Sequence, residues 1–204
     1  MYAKTRYFGQ LRKIKSLNIF IYILLLHRKK DIFELTRCSV ASYREMSKMP
    51  VSVLVDNVRS MYNIGAIFRT ADAFLIGEII LAGISGCPPH PEITKTALGA
   101  EESVRWRHVE DALAEAAKMK EEGWRLCVLE QAHGSIPLQD FHRKGGERYL
   151  LVVGNEVNGV DQAIVDMADF VLEIPQGGVK HSLNVSVSTG IALWQIVAPN
   201  KEIC

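Results

Sequence analysis

Short apolar runs alternate with amphipathic stretches along most of this chain. Val51 to Val55, Glu78 to Ala82, Arg125 to Glu130, Tyr149 to Val153 and Phe170 to Ile174 each have the length of a strand. Their largely continuous apolar character suits strands covered on both faces. Between them lie helical patterns. Asn63 to Phe74 places Ile64, Ile67, Phe68, Ala71 and Leu75 on one side, with Gly77 as the expected stop, and Glu110 to Glu121 is rich in alanine. A further helix is expected between Val153 and Phe170, and a short one, capped by Ser39, over residues 38–48, ended near Pro50. After Ile174 the pattern breaks at Pro175 and Gly177-Gly178. Leu183, Val187, Ile191 and Trp194 then recur at helical spacing, with Ser182 as the candidate N-cap. Strands alternating with helices predict an α/β fold with a mostly parallel sheet between helix layers.

Such sheets bind ligands in the loops at the carboxyl ends of their strands. Two of these loops are rich in glycine and polar residues: Gly154-Asn155-Glu156 after one strand, and Gly177-Gly178 leading to Ser182 and Asn184 after another. Both sit late in the chain, which puts the candidate ligand site in the C-terminal half. The chain has no G-x-x-x-x-G-K-[ST], so the P-loop design for a triphosphate is excluded, and no G-x-G-x-x-G follows the first strand.

Composition is that of an ordinary globular protein, with 48% hydrophobic and 23% charged residues in 204. The net charge of +1 conceals an asymmetry. Residues 1–48 hold 11 Lys/Arg against 3 Asp/Glu, whereas residues 49–204 hold 13 against 20. A basic arm on a mildly acidic body is the pattern expected when one segment meets phosphate. The expected organisation is a basic extension over residues 1–48 and one domain over 49–204. Within the arm, Leu17 to Leu26 forms an apolar run flanked by basic residues. It is too short to span a bilayer, no small-residue cleavage site follows, and no stable membrane association is expected. Cys38, Cys87, Cys127 and Cys204 are far apart and form no C-x-x-C, so neither a zinc site nor a disulfide framework is indicated; a reducing cytoplasm fits.

Three segments carry a resemblance. Residues 56–74 read Asp-Asn-Val-Arg-Ser-Met-Tyr-Asn-Ile-Gly-Ala-Ile-Phe-Arg-Thr-Ala-Asp-Ala-Phe, residues 151–159 read Leu-Val-Val-Gly-Asn-Glu-Val-Asn-Gly, and residues 174–189 read Ile-Pro-Gln-Gly-Gly-Val-Lys-His-Ser-Leu-Asn-Val-Ser-Val-Ser-Thr. In order and spacing they resemble the three motifs of the SpoU (TrmH-like) RNA ribose methyltransferases of the SPOUT superfamily, over roughly residues 50–197. The resemblance implies a C-terminal trefoil knot, a homodimer whose active site draws on both subunits, and S-adenosyl-L-methionine-dependent 2′-O-methylation of tRNA or rRNA. A catalytically inactive SPOUT-like RNA-binding module is the alternative.

The resemblance also assigns residues. Arg69 stands where the family carries its catalytic arginine, Asn63 six residues before it, and Glu156 in the family's Gly-x-Glu; Ser182 and Asn184 belong to its Ser-Leu-Asn. Val157 replaces the glycine that usually follows the glutamate. Cofactor contacts are implied at Gly154, Ile174, Pro175 and Leu183, with Leu81, Ala82 and Gly83 walling the adenine. No metal is needed. Transfer to a ribose hydroxyl requires loss of its proton and stabilisation of the developing charge on oxygen. A guanidinium keeps its proton in proteins, so Arg69 is expected to grip a phosphate and acidify the hydroxyl rather than act as a base. His181 sits beside Ser182, but the family needs no histidine there. Arg37, Arg44, Lys48 and Arg59 are candidate RNA contacts. Trp106, Trp124 and Trp194 are expected in the core or at a dimer interface; His90 and Lys95, near the proline loop, are within reach of substrate, with a turn-forming role the first expectation.

Overall fold

The computed structural model describes residues 29–31, 34, 38–180 and 182–197. Most of the basic arm, its apolar run and Arg37 lie outside the described residues, as does His181. The chain divides into two units, residues 1–39 and 40–204. The first helix, α1 (Val40–Glu45), therefore groups with the body rather than with the arm, because its Tyr43 is buried in the core.

The body is a seven-stranded sheet in the order β3-β2-β1-β6-β4-β7-β5, parallel throughout. Its strands are β1 (Met49–Asp56), β2 (Ile76–Ala82), β3 (Trp106–Val109), β4 (Trp124–Leu129), β5 (Ile136–Pro137), β6 (Arg148–Val153) and β7 (Phe170–Glu173). The helices are α2 (Met61–Ala73), α3 (Pro91–Ala97), α4 (Ala100–Ser103), α5 (Ala112–Glu121), α6 (Gln162–Met167) and α7 (Val185–Val197). Among the described residues no helix is long and apolar enough to cross a membrane.

Two core clusters explain the continuous apolar runs. Val51, Val53 and Val55 of β1, Ile79 and Leu81 of β2, and Leu151 and Val153 of β6 pack on one face with α2 and α7. Leu54, Ile80, Leu150 and Val152 pack on the other with α5 and α6. Alternate residues thus enter opposite layers, each filled by buried apolar side chains. Full burial of one such side chain contributes roughly 1.5–3 kcal/mol, so the paired layers dominate the stability of the sheet.

Several boundaries differ from the sequence expectation. Helix α2 starts earlier than Asn63, because the Ser60 side chain accepts the Asn63 N–H and caps it. Gly77 does not stop this helix; it lies inside β2, and the chain turns at Leu75, which takes the left-handed conformation at φ 53°. The proline-rich segment over 86–91 leads into a helix that periodicity did not reveal. His90 caps α3 by accepting the Glu92 N–H, and Pro91 fills the first turn, where its missing donor costs nothing. Helix α4 and edge strand β3 were too short to leave a periodic signal.

Candidate functional site

A cavity of about 480 Å³ opens at the carboxyl ends of β4, β6 and β7. Its walls come from three loops: Leu129–Gln131, Val153–Gly159, and Leu172 to Ile174 with the Ser182–Val185 segment. The middle loop is held tightly. The Asn155 side chain accepts the N–H groups of Val157 and Asn158 at 2.9 and 2.8 Å, and Asn155 exchanges backbone hydrogen bonds with Gly159. Glu130 accepts the Val160 N–H at 3.1 Å. Position 154 admits only glycine, because a Cβ there would lie 2.0 Å from the Gly159 carbonyl carbon. Val157 projects outward with 87% of its surface exposed, so the residue that departs from the family pattern leaves this turn closed.

Three distant segments meet at the edge of this cavity. Because Ser60 caps α2, the buried Asn63 side chain is free for other bonds. Its amide donates to the Glu156 carboxylate at 2.8 Å, and its carbonyl accepts from the Asn184 amide at 3.0 Å. Asn184 in turn accepts from the Ser186 N–H at 2.9 Å. Asn184, not Ser182, therefore caps α7, two residues later than the sequence suggested. A hydrogen bond to a carboxylate is roughly twice as strong as a neutral one, so the Asn63–Glu156 contact anchors this run.

The three meeting segments are the three motifs noted in the sequence, and the family comparison agrees. Residues 50–194 match the SpoU rRNA Methylase family. The chain belongs to this family. It is 32% identical over 146 residues to an uncharacterised tRNA/rRNA methyltransferase of Borreliella burgdorferi, covering 71% of this chain and 62% of that one. It is 29% identical over 182 residues to the tRNA (guanosine(18)-2′-O)-methyltransferase of Aquifex aeolicus, covering 89% and 81%. Among solved structures, the AdoMet-bound rRNA methyltransferase from Sinorhizobium meliloti superposes with a TM-score of 0.67 at 26% identity, covering 75% of this chain and 58% of that one. The chain thus spans about 62% of the length of the Borreliella relative.

In this SpoU fold the remaining site residues divide into two groups. Gly154, Glu156, Ile174, Ser182, Leu183 and Asn184 line the cavity. Pro175 is exposed on the turn that follows Ile174. Leu81, Ala82 and Gly83 do not line it: they end β2, with β1 between them and β6. The wall that sequence reasoning missed is Leu129, Glu130 and Gln131. Its signal was a polar Glu-Gln pair just after a strand, the same kind of position as Gly154-Asn155-Glu156.

The arginines are dispersed. Arg69 is exposed, and among the described residues it makes no hydrogen bond or ion pair. Six residues of α-helix turn it about 120° away from Asn63, so it does not join the hydrogen-bonded run of its own chain. Arg59 is exposed in the loop after β1, at the same end of the sheet as the cavity. Arg44 and Lys48 lie at the opposite end of β1, where Arg44 donates to the Glu102 carbonyl at 2.7 Å and the Lys48 ammonium covers the Tyr43 ring. Asp56, at the end of β1, is buried, which raises its carboxyl pKa against the opposing pull of the Asp161 N–H and the Asn57 amide. Through Asp161, the N-cap of α6, it ties the end of the cavity loop to β1.

Proposed function

We propose that this chain methylates ribose 2′-hydroxyls of structured RNA, tRNA or rRNA, using S-adenosyl-L-methionine, as a cytoplasmic homodimer. The observation that carries the reading is the run from Asn184 through Asn63 to Glu156 at the rim of the cavity. The cavity suits this cofactor. Its volume falls in the range of cofactor sites, and Leu129, Val153, Leu172 and Ile174 surround exposed backbone, as a neutral base and a soft sulfonium require. Gly154, Ile174 and Leu183 would hold the cofactor, with Pro175 setting the turn and Leu129–Gln131 completing the wall. When bound, it supplies an electrophilic methyl group.

The protein's task is then to position the ribose and manage one proton. Ser182 and Asn184, with Gln176 and Ser188, are polar groups that line the cavity from the third motif, and Glu156, fixed by Asn63, orients the incoming sugar or guanidinium. Arg69 would grip the phosphate next to the target nucleotide and lower the hydroxyl pKa by its charge. A phosphate oxygen or water then takes the proton. The exposure of Arg69 supports such a role, and its turn away from Asn63 favours a site shared between protomers.

Helix α7 supports the homodimer. Leu183 precedes it, and Val187, Ile191 and Trp194 continue the same stripe, with 40%, 51%, 40% and 60% of their surfaces exposed. Three exposed apolar residues on one helical face, extended by Leu183 before it, form a patch suited to a partner surface. Trp194 packs beside Phe74 at 6.0 Å between ring centroids, and Gly190 faces Thr70, so the stripe adjoins the end of α2 that carries Arg69. The trefoil knot belongs to the same proposal; the insertion of β6 between β1 and β4 is consistent with it. The inactive RNA-binding module is opposed by the joint retention of Asn63, Arg69, Glu156, Ser182 and Asn184. The test is a 2′-O-methylation map of tRNA and rRNA from cells with and without the protein. One mark should vanish, return with the wild type and stay absent with Arg69→Ala. Unchanged maps in both RNA classes would overturn the reading.

A further inference from the structure

The outer face of α2 carries a second set of groups beside the motif residues. Tyr62 immediately precedes Asn63, yet it does not line the cavity, and 44% of its surface is exposed. Lys95 of α3 lies over that ring, with the ammonium 5.8 Å from its centroid. The two helices come this close because position 65 is glycine: a Cβ there would sit 2.0 Å from the Thr96 hydroxyl and 2.4 Å from the Ile93 carbonyl oxygen. Thr96 also donates to the Tyr62 carbonyl at 3.1 Å. Tyr62 and Arg69 are seven residues apart, two helical turns, so they share one stripe about 10.5 Å long with the small Ala66 between them. Arg59 is exposed at the N-terminal approach to the same helix.

The half-exposed ring lies under the Lys95 ammonium, and Arg59 and Arg69 are exposed three residues before it and two helical turns beyond it. We propose that Tyr62 is the stacking platform for an unpaired RNA base, with Lys95, Arg59 and Arg69 taking the phosphates on either side. Every base has a π-face, and base–aromatic stacking combined with a basic track is how single-stranded segments are held without base-specific contacts. The substrate is therefore a nucleotide presented from a loop, out of its stack, and not one within a continuous duplex. This rests on the methyltransferase reading given above, and it assigns that site the residue that holds its substrate base.

The experiment uses purified full-length protein, radiolabelled S-adenosylmethionine, and the bulk tRNA and rRNA of cells lacking the protein. Tyr62→Leu should raise the KM for RNA roughly ten-fold or more. Its donor affinity by calorimetry and its sedimentation should stay at wild-type values. Tyr62→Trp should restore the KM, because the larger ring stacks as well, and Lys95→Gln should raise the KM and flatten its salt dependence. An unchanged KM in Tyr62→Leu would overturn the proposal. So would a Tyr62→Leu protein that sediments at half the wild-type mass, since the ring would then be a subunit contact. A wild type that transfers no methyl group to either RNA class refutes the underlying reading instead, an outcome distinct from a working wild type indifferent to Tyr62.

Discussion

Two glycines in candidate cofactor loops make opposite predictions. A methyl group added at Gly154 would lie 2.0 Å from the Gly159 carbonyl carbon and 2.2 Å from both the Gly159 oxygen and the Val160 nitrogen. Ordinary carbon contacts begin near 3.5 Å, so the opposing backbone has to retreat by about 1.5 Å. Three hydrogen bonds resist that movement: the two backbone bonds between Asn155 and Gly159, and the Val160 N–H donated to Glu130. Losing them at about 1 kcal/mol each puts the cost of Gly154→Ala at ~2–3 kcal/mol. The wall that moves is the wall of the cavity, and a displacement of this size is of the order that costs ~100-fold in a positioned reaction. At Gly177 a Cβ meets nothing within 4 Å, and φ is not in the left-handed region. Gly177→Ala should therefore be neutral or slightly stabilising, through the unfolded chain. The assay is calorimetric titration with S-adenosylmethionine beside urea unfolding of both variants. Gly154→Ala should bind at least ten-fold more weakly and unfold at lower urea, while Gly177→Ala matches the wild type. Wild-type affinity in Gly154→Ala would refute the assignment of this cavity to the donor.

Three further perturbations address other parts of the account. Asn63→Asp sets a carboxylate against Glu156 where an amide now donates at 2.8 Å, and methyl transfer should fall at least ten-fold while Asn63→Ser loses less, measured with radiolabelled donor. Val187→Asp on the exposed stripe of α7 should convert a dimer to monomer in sedimentation while the circular dichroism of the fold persists. Asp56 titrates above the ordinary aspartate range because it is buried, so the folded state holds its proton more tightly than the unfolded state. Wild-type stability should therefore fall, relative to Asp56→Asn, as pH rises from the ordinary aspartate value to the elevated one, and the difference should be constant above that; equal slopes in urea titrations across the acid range would contradict it.

The fold was largely legible because a parallel sheet covered on both faces writes itself as apolar runs such as Tyr149 to Val153, and because α2 and α5 keep a clear helical period. What escaped was decided by caps and tertiary contacts. Asn63 opened the helical pattern in the sequence, but Ser60 caps the helix upstream of it, and only the fold reveals that Asn63 joins segments 93 and 121 residues away. The stripe from Leu183 to Trp194 had the spacing of a core face, yet the core side of α7 is built from Val185, Thr189, Ala192, Leu193 and Ile196. Periodicity alone cannot distinguish a face buried within a chain from one awaiting a partner. The cavity wall at Glu130 and Gln131 was missed for a different reason: a polar pair after a strand marks a strand end, but not which strand ends stand side by side.

The central claim is that the cavity beside Asn63 and Glu156 serves methyl transfer to a ribose oxygen. It is tested most directly by incubating the purified protein with tritiated S-adenosylmethionine and RNA from cells lacking it, then digesting the RNA to nucleosides. Label is expected in a 2′-O-methylnucleoside, and alkaline hydrolysis of a parallel sample should leave it in an alkali-resistant dinucleotide. Label confined to a base, or no label in either tRNA or rRNA, would contradict it.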